Sequence, residues 1–365
     1  MLQQVDSDKT VSLVVLLEGT GNDSGMPSAI TRIREFLAQT PNQLVYLGGG
    51  SGTHPHGNLK GRLFGWDTEE IVLRAYEWLT VRFNALSHCE SIGVYLFGFS
   101  RGAYQSRLLA ELLNDFGIPK DEQCCRTIVR RFMSGENPKR INCTCVPEVK
   151  YMGLIDTVMS APFLRKPGAE VPANVVKGRH AVAIHDSRRF FAPVLFQLGS
   201  AGNVMERSFL GAHSDVGWGY SETKVLGEVA LNWLIEPVLD ELEWVLLPAD
   251  PSAGRVNMCM LAKCVWFILH DTHRTMSNLW GLFGHRERQL QSVQPHQTTE
   301  VVREITETIG LSFGDGAGSI FQTFAEIGIL RKMRLCRKSY FDRVSKKINE
   351  NMHLVSQILE KHGIR

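Results

Sequence analysis

A serine stands between two glycines in the segment Gly98-Phe99-Ser100-Arg101-Gly102. A serine hydroxyl is a weak nucleophile until a base takes its proton and fixed donors receive the negative charge of its adduct. The Gly-x-Ser-x-Gly spacing suits that chemistry when a strand delivers the serine into a sharp turn and a helix carries the chain away. The glycines keep side chains out of the turn. The helix N-terminus brings N–H groups and a positive dipole end to the reacting centre. Both flanks are present: IGVYLF (92–97) is a short apolar run, and AYQSRLLAELLND (103–115) repeats apolar residues at helical spacing. The bare pattern recurs by chance, and its plainer reading is a solvent-facing serine in a Gly-rich turn. The strand–turn–helix context favours Ser100 as a nucleophile.

A serine of this kind works with an acid and a histidine that follow it along the chain in that order. Asp156 ends the apolar run VKYMGLI (149–155), at the carboxyl edge of a predicted strand where loops gather. His213 lies in GAHSDVGWGY (211–220), behind the apolar RSFLGA (207–212) and at the head of a Gly-rich loop. These two are the preferred partners. Asp115, Asp186, Asp215 and Asp271 compete for the acid, and His185 and His270 for the base. The backbone N–H of Arg101 is the expected first oxyanion donor, and Gly19-Thr20 after the first strand supplies the expected second. GTGNDSG (19–25) and GGGSGT (48–53) also read as phosphate loops, but neither ends in the Gly-Lys-Ser/Thr of a nucleotide site. No cofactor is expected.

The elements around these residues alternate. VSLVVLL (11–17) reads as a strand covered on both faces, followed by a helix over 28–39 and the strand QLVYLG (43–48). A long glycine-rich loop, GGGSGTHPHGNLKGRLFG, precedes a helix over 67–84 with Asp67 as its N-cap. HAVAIH (180–185) and RSFLGA are further strands, and 223–246 is helical. Beyond about residue 258 the strand signal fades, and 300–310 and 317–365 read as helices. The expected fold is α/β, an α/β-hydrolase-like, mostly parallel sheet covered by helices on both faces, with a helical C-terminal region. The expected units are 1–250 and 251–365, with the weakest joints at 250–257 and 284–298.

Composition narrows the function classes. The 365 residues are 44% hydrophobic with a formal net charge of +2, which gives no global case for nucleic acid. Residues 331–365 hold ten Lys/Arg and three Asp/Glu, a local balance of +7 (ten minus three) that suits an anionic lipid surface or simply a solvated helix face. Cys124-Cys125 with Cys143 and Cys145 is not a zinc spacing, so no metal is expected and reduced thiols are the default. The start MLQQVDSDKT lacks a basic n-region and no apolar run has transmembrane length, so the chain reads as made in the cytoplasm. Its oligomeric state is open.

Taken together, these segments resemble a known family, the α/β-hydrolase domain of type VI secretion phospholipase effectors. That family has an early Asp-Gly-Thr-x-x-Asn segment, a Gly-x-Gly-Thr loop, GFSRGA with an Arg-Leu-Leu-Ala helix, a Gly-Leu-x-Asp-Thr-Val strand end and a late His-Ser-Asp-Val-Gly-Gly-Gly-Tyr. Here LEGTGND, GGGSGT, GFSRGAYQSRLLA, GLIDTV and GAHSDVGWGY occur in the same order, and HAVAIHDSRRFFAP is also similar. The resemblance spans about residues 13–235. It implies Ser100 as nucleophile, His213 as base, Asp156 as acid, and hydrolysis of carboxylic esters with phospholipids as the substrate class. Export by a type VI machine leaves no cleavable signal, so an exported protein is as compatible with this N-terminus as a resident one.

Three departures stand out. Glu18 replaces the family's Asp, Trp218 replaces a Gly, and His185-Asp186 replaces an acidic pair. The first two could narrow the site. They also motivate an alternative, a hydrolase-fold interaction protein that no longer turns over.

Overall fold

The computed structural model describes residues 10–20, 27–50, 67–86, 89, 91–136, 143–159, 165–186, 188, 191–197, 202–219, 224–245, 288, 290, 293–308 and 350–362. Most of the glycine-rich loop, the GNDSG turn, His270, Asp271, the apolar runs CVWFIL (264–269) and LWGLF (279–283), and most of the basic tail lie outside them.

The described chain runs β1 (Val11–Leu17), α1 (Ala29–Phe36), β2 (Gln43–Gly48), α2 (Thr68–Ala85), β3 (Ile92–Phe99), α3 (Arg101–Phe116), β4 (Ile118–Pro119) and α4 (Cys125–Met133). It continues through β5 (Cys143–Cys145), β6 (Val149–Ile155), β7 (Gly178–Ala183), β8 (Val204–Phe209), α5 (His213–Val216), α6 (Lys224–Ile235), β9 (Gln294–Pro295), α7 (Gln297–Thr308) and α8 (Met352–Lys361). The fold is α/β. Among the described residues, seven strands form one sheet in the order β2-β1-β3-β6-β7-β8-β9, and every pairing in it is parallel. The sheet carries helices on both faces.

β1 explains why the sheet is buried on both sides. Val11, Leu13, Val15 and Leu17 enter one core with residues of α2, α3 and α4. Val14 and Leu16 enter the other with α1, α6, α7 and α8. With both faces covered, the strand reads as a continuous apolar run and not as an alternating one. Val301 and Ile305 of α7 and Val355, Ile358 and Leu359 of α8 lie in that second core, so the apolar stripe of the C-terminal helix is covered there by the protein itself. No helix among the described residues is long and apolar enough to cross a membrane.

The strand order places the site. The chain leaves β1 toward β2 on one side, then returns through β3 to build the rest of the sheet on the other. Right-handed crossovers in opposite directions put α1 and α3 on opposite faces, so the loops after β1 and β3 part and leave a crevice at the carboxyl ends. Glu18-Gly19-Thr20 and Ser100 face each other across that crevice.

Local chemistry fixes both of its walls. Ser28 caps α1, its Oγ accepting from the N–H groups of Ile30 and Thr31 at 3.1 Å each, while Thr31 Oγ1 accepts from Ser28 N–H at 2.7 Å. The same Ser28 hydroxyl donates to Glu18 Oε1 at 2.7 Å, and Glu18 Oε2 accepts from Gly19 N–H at 3.3 Å. Glu18 is therefore a buried tie between the β1 loop and the start of α1. On the other wall, a Cβ on Gly98 would lie 2.5 Å from Gly102 O, and one on Gly102 would lie 2.1 Å from Leu17 O. Gly98 lets the first turn of α3 fold back on β3, and Gly102 lets it pack directly on the backbone of β1. Gly102→Ala therefore meets rigid main chain pinned on two sides. We expect a loss of about 3 kcal/mol, at the upper end for overpacking, read as a lower urea midpoint at unchanged slope.

Several boundaries differ from the sequence reading for physical reasons. The expected helix over 223–246 ends at Ile235 and passes into a 3-10 turn over 236–238 that contains Pro237. Proline crowds the carbonyl four residues back and supplies no N–H. The carbonyls of Trp233 and Leu234 accept instead from Arg179 and from the Tyr151 hydroxyl. α1 stops at Phe36, short of residue 39. β7 and β8 start two and three residues before HAVAIH and RSFLGA do and end at Ala183 and Phe209. Asp67 precedes α2 without a capping hydrogen bond. β4 and β5 form a separate antiparallel pair that sets Cys143 and Cys145 beside Pro119 and Ile118. The five described cysteines are free thiols, and no group of possible metal ligands assembles among the described residues.

Candidate active site

Among the described residues, positive φ occurs at three non-glycine positions: Ser100 (59°), Asp156 (41°) and Trp218 (62°). Such conformations cost about 1–3 kcal/mol each and persist only where the surroundings enforce them. Ser100 N–H donates to Ile155 O at 2.9 Å, and Asp156 N–H donates to Ala181 O at 2.7 Å. The turns after β3 and β6 are thereby stitched to neighbouring strand ends, and both side chains point across the same crevice.

His213 joins them. Its Nδ1 lies 2.6 Å from Asp156 Oδ2 and its Nε2 lies 2.7 Å from Ser100 Oγ. A carboxylate can only accept, so Nδ1 carries the hydrogen and Nε2 accepts from the serine hydroxyl. The imidazole stacks on Phe99 (centroids 4.8 Å apart, planes at 28°) and meets the edge of Phe191 (4.9 Å, 77°). Gly217 makes room for this: a Cβ there would sit 2.2 Å from the Phe99 ring. Ser100, His213 and Asp156 are all buried. An imidazole held between a hydroxyl and a carboxylate can take the serine proton and return it to a leaving group.

Burial sets the charges. It pushes His213 down from its ordinary value, and the hydrogen bond and charge of Asp156 offset only part of that. Burial alone would raise Asp156, but the Arg288 guanidinium and the His213 hydrogen bond overcome it and hold the carboxyl well below the usual carboxylate range. The neutral histidine beside an ionised acid is the state a general base needs.

The competing residues have other work. Asp186 is ion-paired with Arg188 at 2.5 Å and accepts the backbone N–H of His213 at 3.3 Å, away from the imidazole edge. Asp215 accepts from Ala212 N–H at 2.9 Å, at the start of α5. Asp115 accepts from Asn114 Nδ2 at 3.0 Å on the far end of α3. His185 Nδ1 accepts from Gly211 N–H at 3.1 Å, and burial pushes that histidine down to about 4.

The expected oxyanion groups are close at hand. Arg101 is the first residue of α3, and a Cβ on Gly19 would lie 3.2 Å from Ser100 Cβ. Thr20 continues the same loop at its described end. The Arg101 side chain is buried beside the charge of Asp67, and burial pulls its guanidinium down to about 10. Trp218 takes the left-handed turn at which a glycine is at ease. Its bulk goes into the core, with the Arg32 guanidinium 4.6 Å from its ring and the open space of Gly227 on its other side.

Sequence reasoning missed several contributors. His180 Nε2 accepts from Thr157 N–H at 3.1 Å, and its Nδ1 lies 2.7 Å from Glu206 Oε1. Buried His180, held by the half-buried Glu206, braces the residue after Asp156. Phe191 closes over the imidazole, and Arg288 reaches Asp156 from far along the chain. No short-range signal marks any of these, since each acts only through a partner distant in sequence.

Comparison with known proteins adds the following. The family model described as type VI secretion system (T6SS), phospholipase effector Tle1-like, catalytic domain, matches residues 11–237. A solved structure of the Tle1 effector bound to the VgrG spike of the type 6 secretion system is similar at 19% identity with a TM-score of 0.41, over 59% of this chain and 52% of that one. A crystal structure of an uncharacterized protein from Pseudomonas aeruginosa is similar at 15% identity and a TM-score of 0.41, over 72% of this chain and 50% of that one. The chain thus spans about half the length of these two structures. No curated protein matches it.

Proposed function

The chain belongs to the family of type VI secretion Tle1-like phospholipase effector catalytic domains, and from that premise we propose that it is a serine hydrolase cleaving carboxylic esters of lipids through Ser100, His213 and Asp156. The observation that carries this reading is the unbroken line from Ser100 Oγ through His213 Nε2 and Nδ1 to Asp156 Oδ2, with links of 2.7 and 2.6 Å.

The proposed reaction has two halves. His213 Nε2 takes the proton of Ser100 as Oγ attacks the ester carbonyl, and the tetrahedral oxyanion meets the N–H of Arg101 and, from the Gly19-Thr20 loop, that of Thr20, the Gly19 N–H being turned to Glu18. As the carbonyl re-forms, the C–O bond to the alcohol breaks and His213 gives that alcohol its proton. Water then attacks the acyl-serine with His213 again as base, releasing the carboxylic acid and restoring the Ser100 hydroxyl. Asp156 keeps Nδ1 protonated and stabilises the transient imidazolium. Export by a type VI machine is part of the same proposal.

Labelling with a fluorophosphonate, together with fatty-acid release from phospholipid liposomes, tests this. Wild-type protein should label at Ser100 and release fatty acid. The base must be neutral to act, so rates are full above the His213 pKa and fall as pH drops through it. Because that value is lowered from 6.5, the acid limb should have its midpoint below 6.5. Folded protein that neither labels nor hydrolyses lipid would sink the proposal in favour of a binding role. Labelling without lipid hydrolysis would leave a serine esterase with another substrate.

A further inference from the structure

Arg288 makes five hydrogen bonds, one for each N–H of its guanidinium. Nη1 donates to Asp156 Oδ1 at 2.6 Å and to Ala183 O at 2.7 Å. Nη2 donates to Asp156 Oδ2 at 2.9 Å and to Phe191 O at 2.7 Å. Nε donates to Asp186 O at 2.9 Å. The side chain is 2% exposed and the Asp156 side chain is 0% exposed. Asp156 Oδ1 also accepts from Ala183 N–H at 2.9 Å, and Oδ2 faces His213. Four donors therefore meet the four lone-pair positions of one carboxylate. A bidentate guanidinium is among the strongest partners a buried carboxylate can have. Yet this arginine lies 132 residues from Asp156 in sequence and beyond the family match, which ends at residue 237.

We propose that Arg288 is a positioning residue for the reaction, holding Asp156 ionised and aligned, and that its charge sets the pH range in which His213 acts as base. The inference rests on the serine-hydrolase reading. Burial raises the proton affinity of the Asp156 carboxylate, and a carboxylate without its fork of donors would hold the imidazole in line poorly. The guanidinium prevents that. The same positive charge opposes a second positive charge on the Asp156–His213 pair, so the pair takes up a proton only at lower pH. The other charged and titratable groups facing these residues among the described ones are Asp186, Arg188 and His185. Asp186 and Arg188 pair with each other and act on His213 in opposite directions, and His185 stays neutral at all but acid pH, which leaves Arg288 as the cation in direct contact with the Asp156 carboxylate, so that it acts on His213 through that carboxylate.

The test compares wild type, Arg288→Met and Arg288→Lys by the pH dependence of liposome hydrolysis and by NMR titration of the His213 ring. In Arg288→Met the acid limb and the His213 titration should both rise by about one pH unit, with kcat lower and KM unchanged. Arg288→Lys keeps the charge without the fork, so the limb should stay near wild type while kcat remains reduced. An unchanged His213 titration in Arg288→Met overturns the inference, as does a uniform loss of rate at every pH with no shift of the limb. The NMR readout needs no turnover. A protein that neither labels with fluorophosphonate nor hydrolyses lipid, but whose His213 still shifts, defeats the hydrolase reading and leaves the electrostatic one standing. If Arg288→Met does not fold, the lysine variant decides, and a limb displaced from wild type in folded Arg288→Lys overturns the role of charge.

Discussion

Ser100→Ala should abolish fluorophosphonate labelling and lower liposome hydrolysis by about 10⁶-fold, and His213→Ala should lower it as far. The two residues act as one unit. In the proposed mechanism the serine becomes a nucleophile only because His213 Nε2, 2.7 Å away, accepts its proton, and without the acyl-serine the histidine has no water to activate. The double variant should therefore be no slower than either single one, far from the product of the two losses. Residual rate over water would come from substrate placement and the backbone donors at Arg101 and the Gly19-Thr20 loop. Both variants should stay folded, since neither substitution removes a strand pairing or strands a buried charge. A Ser100→Ala protein that retained even a hundredth of the activity would move the nucleophile elsewhere.

Asp156→Asn should cost about 10⁴-fold in rate and, unlike Ser100→Ala, should also destabilise the fold. The rate loss follows from the tautomer. An amide nitrogen facing His213 donates to Nδ1 and drives the ring hydrogen to Nε2, where it meets the Ser100 hydroxyl and can accept nothing. The stability loss follows from Arg288, whose side chain is buried and whose ionic partner among the described residues is this carboxylate. Removing one member of a buried pair leaves the other charge uncompensated, at about 3–5 kcal/mol. Liposome hydrolysis and thermal melts of the two variants side by side check both halves. If Asp156→Asn melts with the wild type, the Arg288 contact is not an ion pair that holds the fold.

Much of this arrangement is legible in the sequence, and what is legible has a local cause. Gly98 and Gly102 mark the sharp turn because the first turn of α3 folds back on β3 at Gly98 and lies on the backbone of β1 at Gly102, and only glycine fits at either place. Asp156 and His213 stand just beyond apolar runs, and the carboxyl ends of parallel strands share one edge of the sheet. Trp218 is legible as a departure but not in its consequence. Its side chain could have crowded the serine, yet the left-handed backbone turns it into the core against Arg32. The end of α6 is visible in Pro237, although helical spacing continues past it. Arg288 is invisible by comparison, because it sits in GHRERQLQ among other polar residues and gains meaning only from a carboxylate just beyond β6. His180 and Glu206 escape notice for a similar reason. They are neighbours across β7 and β8, and a register is not readable before the strands are paired.

The separations along the chain bear on when the protein becomes reactive. Ser100 and His213 are 113 residues apart, His213 and Asp156 are 57 apart, and Arg288 and Asp156 are 132 apart. Parallel strands meet only through long crossovers, and contacts between distant residues form late and slowly. A chain folded as far as β6 holds the serine in its turn but has no imidazole to arm it. One folded through α5 has the imidazole but not the guanidinium that fixes its acid. On the proposed mechanism, reactivity thus arrives with the finished fold, and a partly made chain should be chemically silent, which labelling of truncated chains with a fluorophosphonate would check.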